Sequence, residues 1–554
     1  DATLVDFEIP RKYGLRFTIA DTTGPGGLFR ALRTFPMLSG LCRDMAEVCP
    51  RATLLNYANP MSMNMQTVSR TSPGVRAVGL CHSVQGTFDQ LMGYLGEDPC
   101  GVAFTCAGIN HMAFYLRLEK DGQDLYPRLF EAMGRPAVYD TNRVRFEIMR
   151  RLGYFVTESS EHNAEYSPWF IPHGDAHARR CDVPLDEYLH RCDGIVEQFE
   201  RMRAASRCPD DGAPADVRRS HEYGSTIIHS VVTGRPSVVY GNMPNRGAIA
   251  NLPADAIAEA PTLVDRSGLR FTTVGDLPPQ LAAYMAPHVA QHELFVRAAT
   301  EGRRDHIYQA CLFDPLTAAT MPPDRVVEMC DELIAAHGFA KDGGVLPDLD
   351  AKRTLVPSSG KSFAKVDPAT LRASWDAQQK RCDAEHVTQW HVIGPFGAGP
   401  EGRVSLDLET PVDEAFGARR DRAPDVSSDA NPNGTGGLRW RPARAGRRGF
   451  VDLVAALGPA DGAVAFAYAE VASVHGGPAV LRCGSDDGIR VWLNGEQVHS
   501  REVGRAYRPG SDAVDVRLRP GVNRVLVKVD NYHGAWGFGV ALRDARAGDA
   551  RAAE

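Results

Sequence analysis

Two textures divide this chain, and they limit its fold more than any other feature. Up to about residue 115, short apolar runs alternate with stretches of helical spacing, as βαβ units do. From Val387 onward, short β-rich runs follow one another, broken by turn residues every 8 to 12 positions or so, the mark of a sandwich or jelly roll. In the first texture, residues 53–57, 77–81 and 102–106 read as strands of a mainly parallel sheet, and residues 28–48 and 83–95 as helices, the first bent at Pro36. In the second, Val491-Trp492-Leu493 followed by Asn494-Gly495 is a hairpin signal, because both turn residues tolerate positive φ. Val516-Arg517-Leu518, Pro520-Gly521 and the run 525–529 repeat the pattern. A Gly-, Pro- and charge-rich connector is expected from about 341 to 380.

At 554 residues the chain needs at least two cores. Its formal charge of −7 disfavours phosphate backbones, so no nucleic-acid partner is expected. No apolar run is long enough to span a bilayer, so no membrane role is expected either. Twelve cysteines without a CxxC pair are too sparse for a disulfide scaffold or zinc ribbon, which suggests a reduced, cytoplasmic setting.

Ligands of open α/β sheets collect at the carboxyl ends of strands. Three groups fall there: Asn59, Cys81-His82 and Asn110-His111. A thiolate and an imidazole on neighbouring strand ends suit one divalent transition metal, although buried cysteines and satisfied core histidines are common. Glu158, Ser160, Glu161, His162 and Tyr166 crowd another segment, which reads either as general acid–base groups or as ordinary helix capping. The literal GxGxxG at 397–402 is discounted, because Pro400 deletes an amide donor and no helix follows. His173-Gly174-Asp175-Ala176-His177 reads as a surface turn.

The runs IADTTGPGGLFRALRTFP, LLNYANPMSMNM, VGLCHSVQGT, CAGINHMAFYL, LGYFVTESSEHNAEYSPWF and GRPSVVYGNMPNRGAIANLP resemble family 4 glycoside hydrolases, with the α-galactosidase branch nearest and α-galacturonidases beside it. The resemblance covers residues 1 to 340 or so. It implies an α/β fold with a Rossmann-like NAD-binding domain (1–115) and a mixed α/β catalytic domain (116–340). A linker (341–386) and an all-β sandwich (387–547), similar to PA14 or galactose-binding modules, would complete the chain. It also implies an NAD- and manganese-dependent glycosidase in which C3 is oxidised, C2 deprotonated, the aglycone eliminated, water added and C3 reduced again. This route departs from the usual two-carboxylate scheme.

Carried over by motif, Cys81 and His111 match the metal ligands and Asn59 a substrate contact, while His82 stands where other branches keep an Asp proton donor. Tyr154, Glu161 and His162 are candidates for acid–base work. His221 replaces an Arg of the related motif and, with Arg246, would bear on specificity, including the alternative of an α-galacturonidase or α-glucuronidase. The family's opening strand and Gly-rich turn have no counterpart here, so a fragment of a longer product is one expectation and a non-catalytic carbohydrate-binding protein another. A homo-oligomer acting on a small carbohydrate is expected. In the sandwich, Trp492 and Trp536 read as core rather than sugar platforms, and Asp486 with Asp487 as a candidate calcium site.

Overall fold

Local patterning produces the expected strands, but they do not join one parallel sheet. The computed structural model describes residues 2–205, 222–339 and, from 346 to 544, all but 351–353, 365, 384, 398–404, 411, 414–419, 421–422 and 425–437. His221 and positions 398–402 of the GxGxxG run therefore lie outside the described residues. The chain divides into two compact units. One holds Asp1–Met133 and Asn142–Arg372, the other Gly134–Thr141 and Ala373–Glu554.

In the first unit, β1 (Thr53–Asn56) and β2 (Arg76–Gly79) form a parallel pair in the register Leu54↔Ala77, joined by helix α3 (Met61–Thr71). The sheet continues through β6 (Ser237–Pro244), β7 (Ile257–Asp265) and β8 (Gly268–Phe271), all antiparallel, in the order β1-β2-β6-β7-β8. The third expected strand, β3 (Val102–Ala107), belongs elsewhere: with β4 (Phe114–Lys120) and β5 (Gln123–Asp124) it makes a separate antiparallel sheet. Only a short loop separates β3 from β4, and a parallel neighbour would need a crossover of about a dozen residues or more. The expectation of a mainly parallel sheet is corrected accordingly.

Helix α1 (Ala2–Lys12) precedes the long α2 (Gly24–Val48), which contains Pro36. Helix α4 (Ser83–Leu95) closes on Gly96 in the left-handed conformation, φ 66°. At Gly79 a Cβ would come within 2.4 Å of the Met61 sulfur, so the glycine lets α3 settle directly on the end of β2.

The second unit is a two-sheet sandwich. A six-stranded sheet runs in the order β10 (Arg441–Arg444), β9 (Gln389–Phe396), β12 (Ala463–Ser473), β17 (Gly521–Asn531), β14 (Ile489–Leu493), β15 (Glu496–Arg501). A four-stranded sheet runs β11 (Val451–Asp452), β18 (Gly537–Asp544), β13 (Gly477–Asp486), β16 (Asp512–Leu518). Their alternating inward residues, among them Trp390, Leu481, Val491, Val527, Trp536 and Phe538, make one core. The hairpin at Asn494-Gly495 forms between β14 and β15 with φ of 52° and 91°. The Pro520-Gly521 turn does something different from a hairpin: β16 and β17 lie in different sheets, so it carries the chain across the sandwich. Within the expected connector, Pro368–Asp383 is a helix that buries Trp375. Trp492 is buried with Phe466 and Leu526 under Arg420, and Trp536 is buried completely, so both are core. The Asp487 carboxylate accepts from the backbone N–H groups of Arg505 (3.2 Å) and Tyr532 (2.6 Å).

Candidate active site

The site is built from three chain crossings in the first unit. Cys81 follows β2 directly, since Leu80 N–H still bonds to Asn56 C=O at 2.8 Å, and His82 then caps α4. The loop between β3 and β4 delivers Asn110 and His111. Gly108 at its start exchanges backbone bonds with Glu259 of β7, at 3.0 and 2.8 Å. A Cβ at Gly108 would meet Met112 C=O at 2.6 Å, so only glycine permits this close passage. The third crossing comes from residues 155–157, which pair with β4 through Tyr115 N–H to Phe155 C=O (3.0 Å) and Thr157 N–H to Ala113 C=O (2.8 Å). That pairing sets Glu158 beside His111. Both residues adopt left-handed backbone, φ 67° and 65°, which side chains with a Cβ seldom take without a compensating reason.

Arg145 holds the third crossing in place. Its buried guanidinium donates to Val156 C=O (3.1 and 3.0 Å), Gln90 (2.7 Å), Thr87 (2.8 Å) and Asn142 (3.2 Å), and it lies over the Phe155 ring. Arg145→Met would leave these acceptors unmatched. We expect it to cost about 3 kcal/mol of stability, seen as a lowered melting temperature, with activity falling further as Glu158 loses its register.

Cys81 and His111 are 6% and 3% exposed. Ligand atoms of Cys81, His111 and Glu158 all lie within 4.8 Å of one another. His111 Nε2 is 3.5 Å from Glu158 Oε2, while Nδ1 lies 3.2 Å from the Thr22 hydroxyl and 2.9 Å from the Tyr166 hydroxyl. Thr22 donates its proton to Asp21 Oδ1 at 2.8 Å, so its oxygen, like the nearer Tyr166 hydroxyl, can accept from a protonated His111 Nδ1. With the proton on Nδ1, the Nε2 lone pair faces Glu158 Oε2.

His162 lies between two carboxylates, Nδ1 at 3.3 Å from Glu158 Oε1 and Nε2 at 3.4 Å from Asp21 Oδ1. Asp21 also accepts from the Asn59 amide at 3.2 Å. Burial opposes charge on His162, yet Glu158 and Asp21 raise its pKa. Burial likewise opposes charge on Glu158, but the neighbouring histidines and Arg145 hold its carboxyl below the usual range. Asp21 is held low against its own burial, chiefly by His162. Burial first, then the Glu158 and Glu259 charges, push the Cys81 thiol up to about 12.

The structure thus gathers Cys81, His111, His162 and Asn59 around Glu158 and Asp21. His82 stands at the rim, its side chain 71% exposed and 3.9 Å from Glu222. Tyr154 packs edge-on against Tyr126 at 5.9 Å, and Glu161 faces Arg191 at 4.0 Å, so neither is drawn into this group. Ser160 donates to Asn142 at 3.3 Å. Arg246 lines a separate cavity of about 560 Å³ together with Arg76 and Arg270, and none of the cluster residues line it. Asp21, Thr22 and Glu259 are site residues that spacing does not point to. The signals available for them are a polar Asp-Thr-Thr run entering a helix and a lone carboxylate inside an apolar strand. Glu165, fully buried, anchors the run by accepting the N–H groups of Thr18, Ile19 and Ala20.

One thiol, one imidazole and one carboxylate converging in a nearly dry site suit a divalent cation, and the donor set fits manganese or a neighbour of it. The fold and site are those of a metal-assisted α/β enzyme.

Residues 1–97 match the model of the family 4 glycosyl hydrolases, and residues 106–317 that of the family 4 glycosyl hydrolase C-terminal domain. An α-galactosidase of Bacillus subtilis (strain 168) is 42% identical over 342 residues, which cover 61% of this chain and 78% of the relative. An α-galactosidase of Rhizobium meliloti (strain 1021) is 34% identical, covering 60% and 69%. A solved 6-phospho-α-glucosidase from gut microorganisms, in complex with NAD and Mn²⁺, shares the fold at 19% identity, with a TM-score of 0.53 over 63% of this chain and 80% of that one. The chain belongs to the family 4 glycosyl hydrolases.

Proposed function

We propose that this protein is an α-glycosidase of the α-galactosidase type, hydrolysing terminal α-linked sugars in the NAD- and divalent-cation-dependent manner of its family, in the cytoplasm. The observation that supports this most is the convergence of Cys81, His111 and Glu158 within 4.8 Å, in a chain 42% identical to an α-galactosidase. Cys81 and His111 would hold the cation. When bound, a divalent cation draws negative charge onto the sugar oxygens it touches, which acidifies the neighbouring C–H bond.

The chain's own groups then have separate tasks. His162, clamped by Glu158 and Asp21, stores a proton next to that bond and releases or accepts it as the carboxylates dictate. Asn59, oriented by Asp21, keeps its amide oxygen for a sugar hydroxyl. His82, exposed at the rim, is placed to give a proton to the departing aglycone oxygen. The buried polar wall around His111 and Tyr166 limits water near the reacting carbon. NAD dependence is carried by the family.

The test is sugar release from an aryl α-galactoside with Mn²⁺ and reductant present, with and without NAD⁺. Release that requires both additions is the expected result. Equal release without NAD⁺, or after removal of metal by EDTA, would overturn the assignment.

A further inference from the structure

We propose that Glu158 is a third protein ligand of the catalytic cation, completing a Cys81–His111–Glu158 set rather than serving as the base. This rests on the metal-dependent reading above and adds a residue to it.

The argument begins with lone pairs. Thr22 gives its proton to Asp21, so its oxygen and the Tyr166 hydroxyl can both accept from His111 Nδ1–H, the tautomer that leaves His111 Nε2 bare for a cation. Glu158 Oε2 lies 3.5 Å from that bare nitrogen, and the Cys81 sulfur lies within 4.8 Å of both. All three atoms offer lone pairs within a few ångströms of one another in a buried site, and once the thiol gives up its proton a cation among them offsets their charge. The Glu158 carboxylate is also divided in a way that suits one bond to a metal. Oε1 lies 3.3 Å from His162 Nδ1, and Oε2 is the oxygen 3.5 Å from His111 Nε2. Charge closes the set as well: a thiolate, a carboxylate and a neutral imidazole exactly offset a dication, which a Cys–His pair does not. Finally, the left-handed backbone at both His111 and Glu158 turns these two side chains toward each other, and the strand pairing of residues 155–157 with β4 fixes the distance between them.

The experiment measures metal binding directly, on the full chain freed of metal. Mn²⁺ affinity is read from the electron paramagnetic resonance signal of free Mn²⁺, for wild type, Glu158→Gln, Glu158→Asp and Cys81→Ser. Co²⁺ spectra of the same proteins report the thiolate charge-transfer band and the d–d bands. Glu158→Gln is expected to weaken Mn²⁺ binding by more than about a hundredfold, beyond the roughly 10–100-fold that loss of a group merely orienting a ligand costs. At saturating Co²⁺ it keeps the charge-transfer band from Cys81 and shifts the d–d bands, because a donor of the coordination sphere has changed; a purely structural role would leave those bands where they are. Glu158→Asp retains an oxygen donor and binds Mn²⁺ more tightly than Glu158→Gln, which keeps the comparison open if one variant folds poorly.

Mn²⁺ affinity within twofold of wild type and unshifted d–d bands in Glu158→Gln would overturn Glu158 as a ligand. If Cys81→Ser still lost Mn²⁺ in that case, the metal reading itself would stand. Wild-type protein that binds no Mn²⁺ would overturn both.

Discussion

Cys81→Ser is expected to lower kcat/KM for an aryl α-galactoside by about 10³-fold or more, which is about 4 kcal/mol of transition-state stabilisation. The geometry of the site would barely change, because serine is the smaller isostere and Cys81 sits behind β2 with little freedom. What changes is charge and softness. A serine hydroxyl keeps its proton at neutral pH and is a poor ligand for a transition metal, so the site drops from two negative donors to one. In the free protein the thiol is itself held protonated, pushed up to about 12 by burial and by Glu158 and Glu259, so cation binding must expel that proton. Proton release on adding Mn²⁺ to wild type, absent in the variant, is a second readout. A variant with unchanged Mn²⁺ affinity and turnover would remove Cys81 from the metal site.

The proposed metal pair, Cys81 and His111, is legible in the sequence because each member directly follows an apolar run, where strand ends present ligands. Glu158 is legible only as part of a crowded polar segment. Its place beside His111 depends on residues 155–157 pairing with β4, a contact across some forty residues that no local period encodes. The same limit explains β3: an apolar run specifies a strand but not its sheet, and here the short loop to β4 decided the matter. Tyr154 lies in the same segment as the site residues, yet its ring goes to Tyr126, since proximity in the chain does not say which way a side chain turns. Alternation served better in the sandwich, where Val491, Leu493, Val525, Val527 and Val529 all face one core. The Asn494-Gly495 turn was readable because its conformation is intrinsic to those residues. The crossing at Pro520-Gly521 was not, because the same turn chemistry serves a hairpin or a change of sheet.

Glu259→Gln is expected to stabilise the metal-free protein at pH 8 and to change it little at pH 5. Glu259 is fully buried on β7, where its carboxylate accepts from the Asn242 amide at 3.0 Å and meets the Asn110 side chain. Burial pushes its carboxyl up to about 7, against the pull of Asn242 and His111 and with the Glu158 charge adding to the rise. A carboxyl whose folded pKa is raised contributes its stability below the unfolded value and loses it as pH climbs. The window is therefore about 4.5 to 7, and the loss across it is about 3 kcal/mol at 1.4 kcal/mol per unit. Glutamine cannot ionise and still offers Asn242 an acceptor, so its stability is flat across that window. The check is calorimetric unfolding of wild type and variant, freed of metal, at both pH values; an equal difference at pH 5 and pH 8 would show that ionisation is not the cause. A carboxylate kept at such cost has a use when the site is filled. Its charge reaches Cys81 and His111, so a bound cation is held in a more negative environment and in turn favours the ionised form. Adding Mn²⁺ should accordingly shrink the advantage of Glu259→Gln at pH 8 and weaken metal binding in the variant relative to wild type.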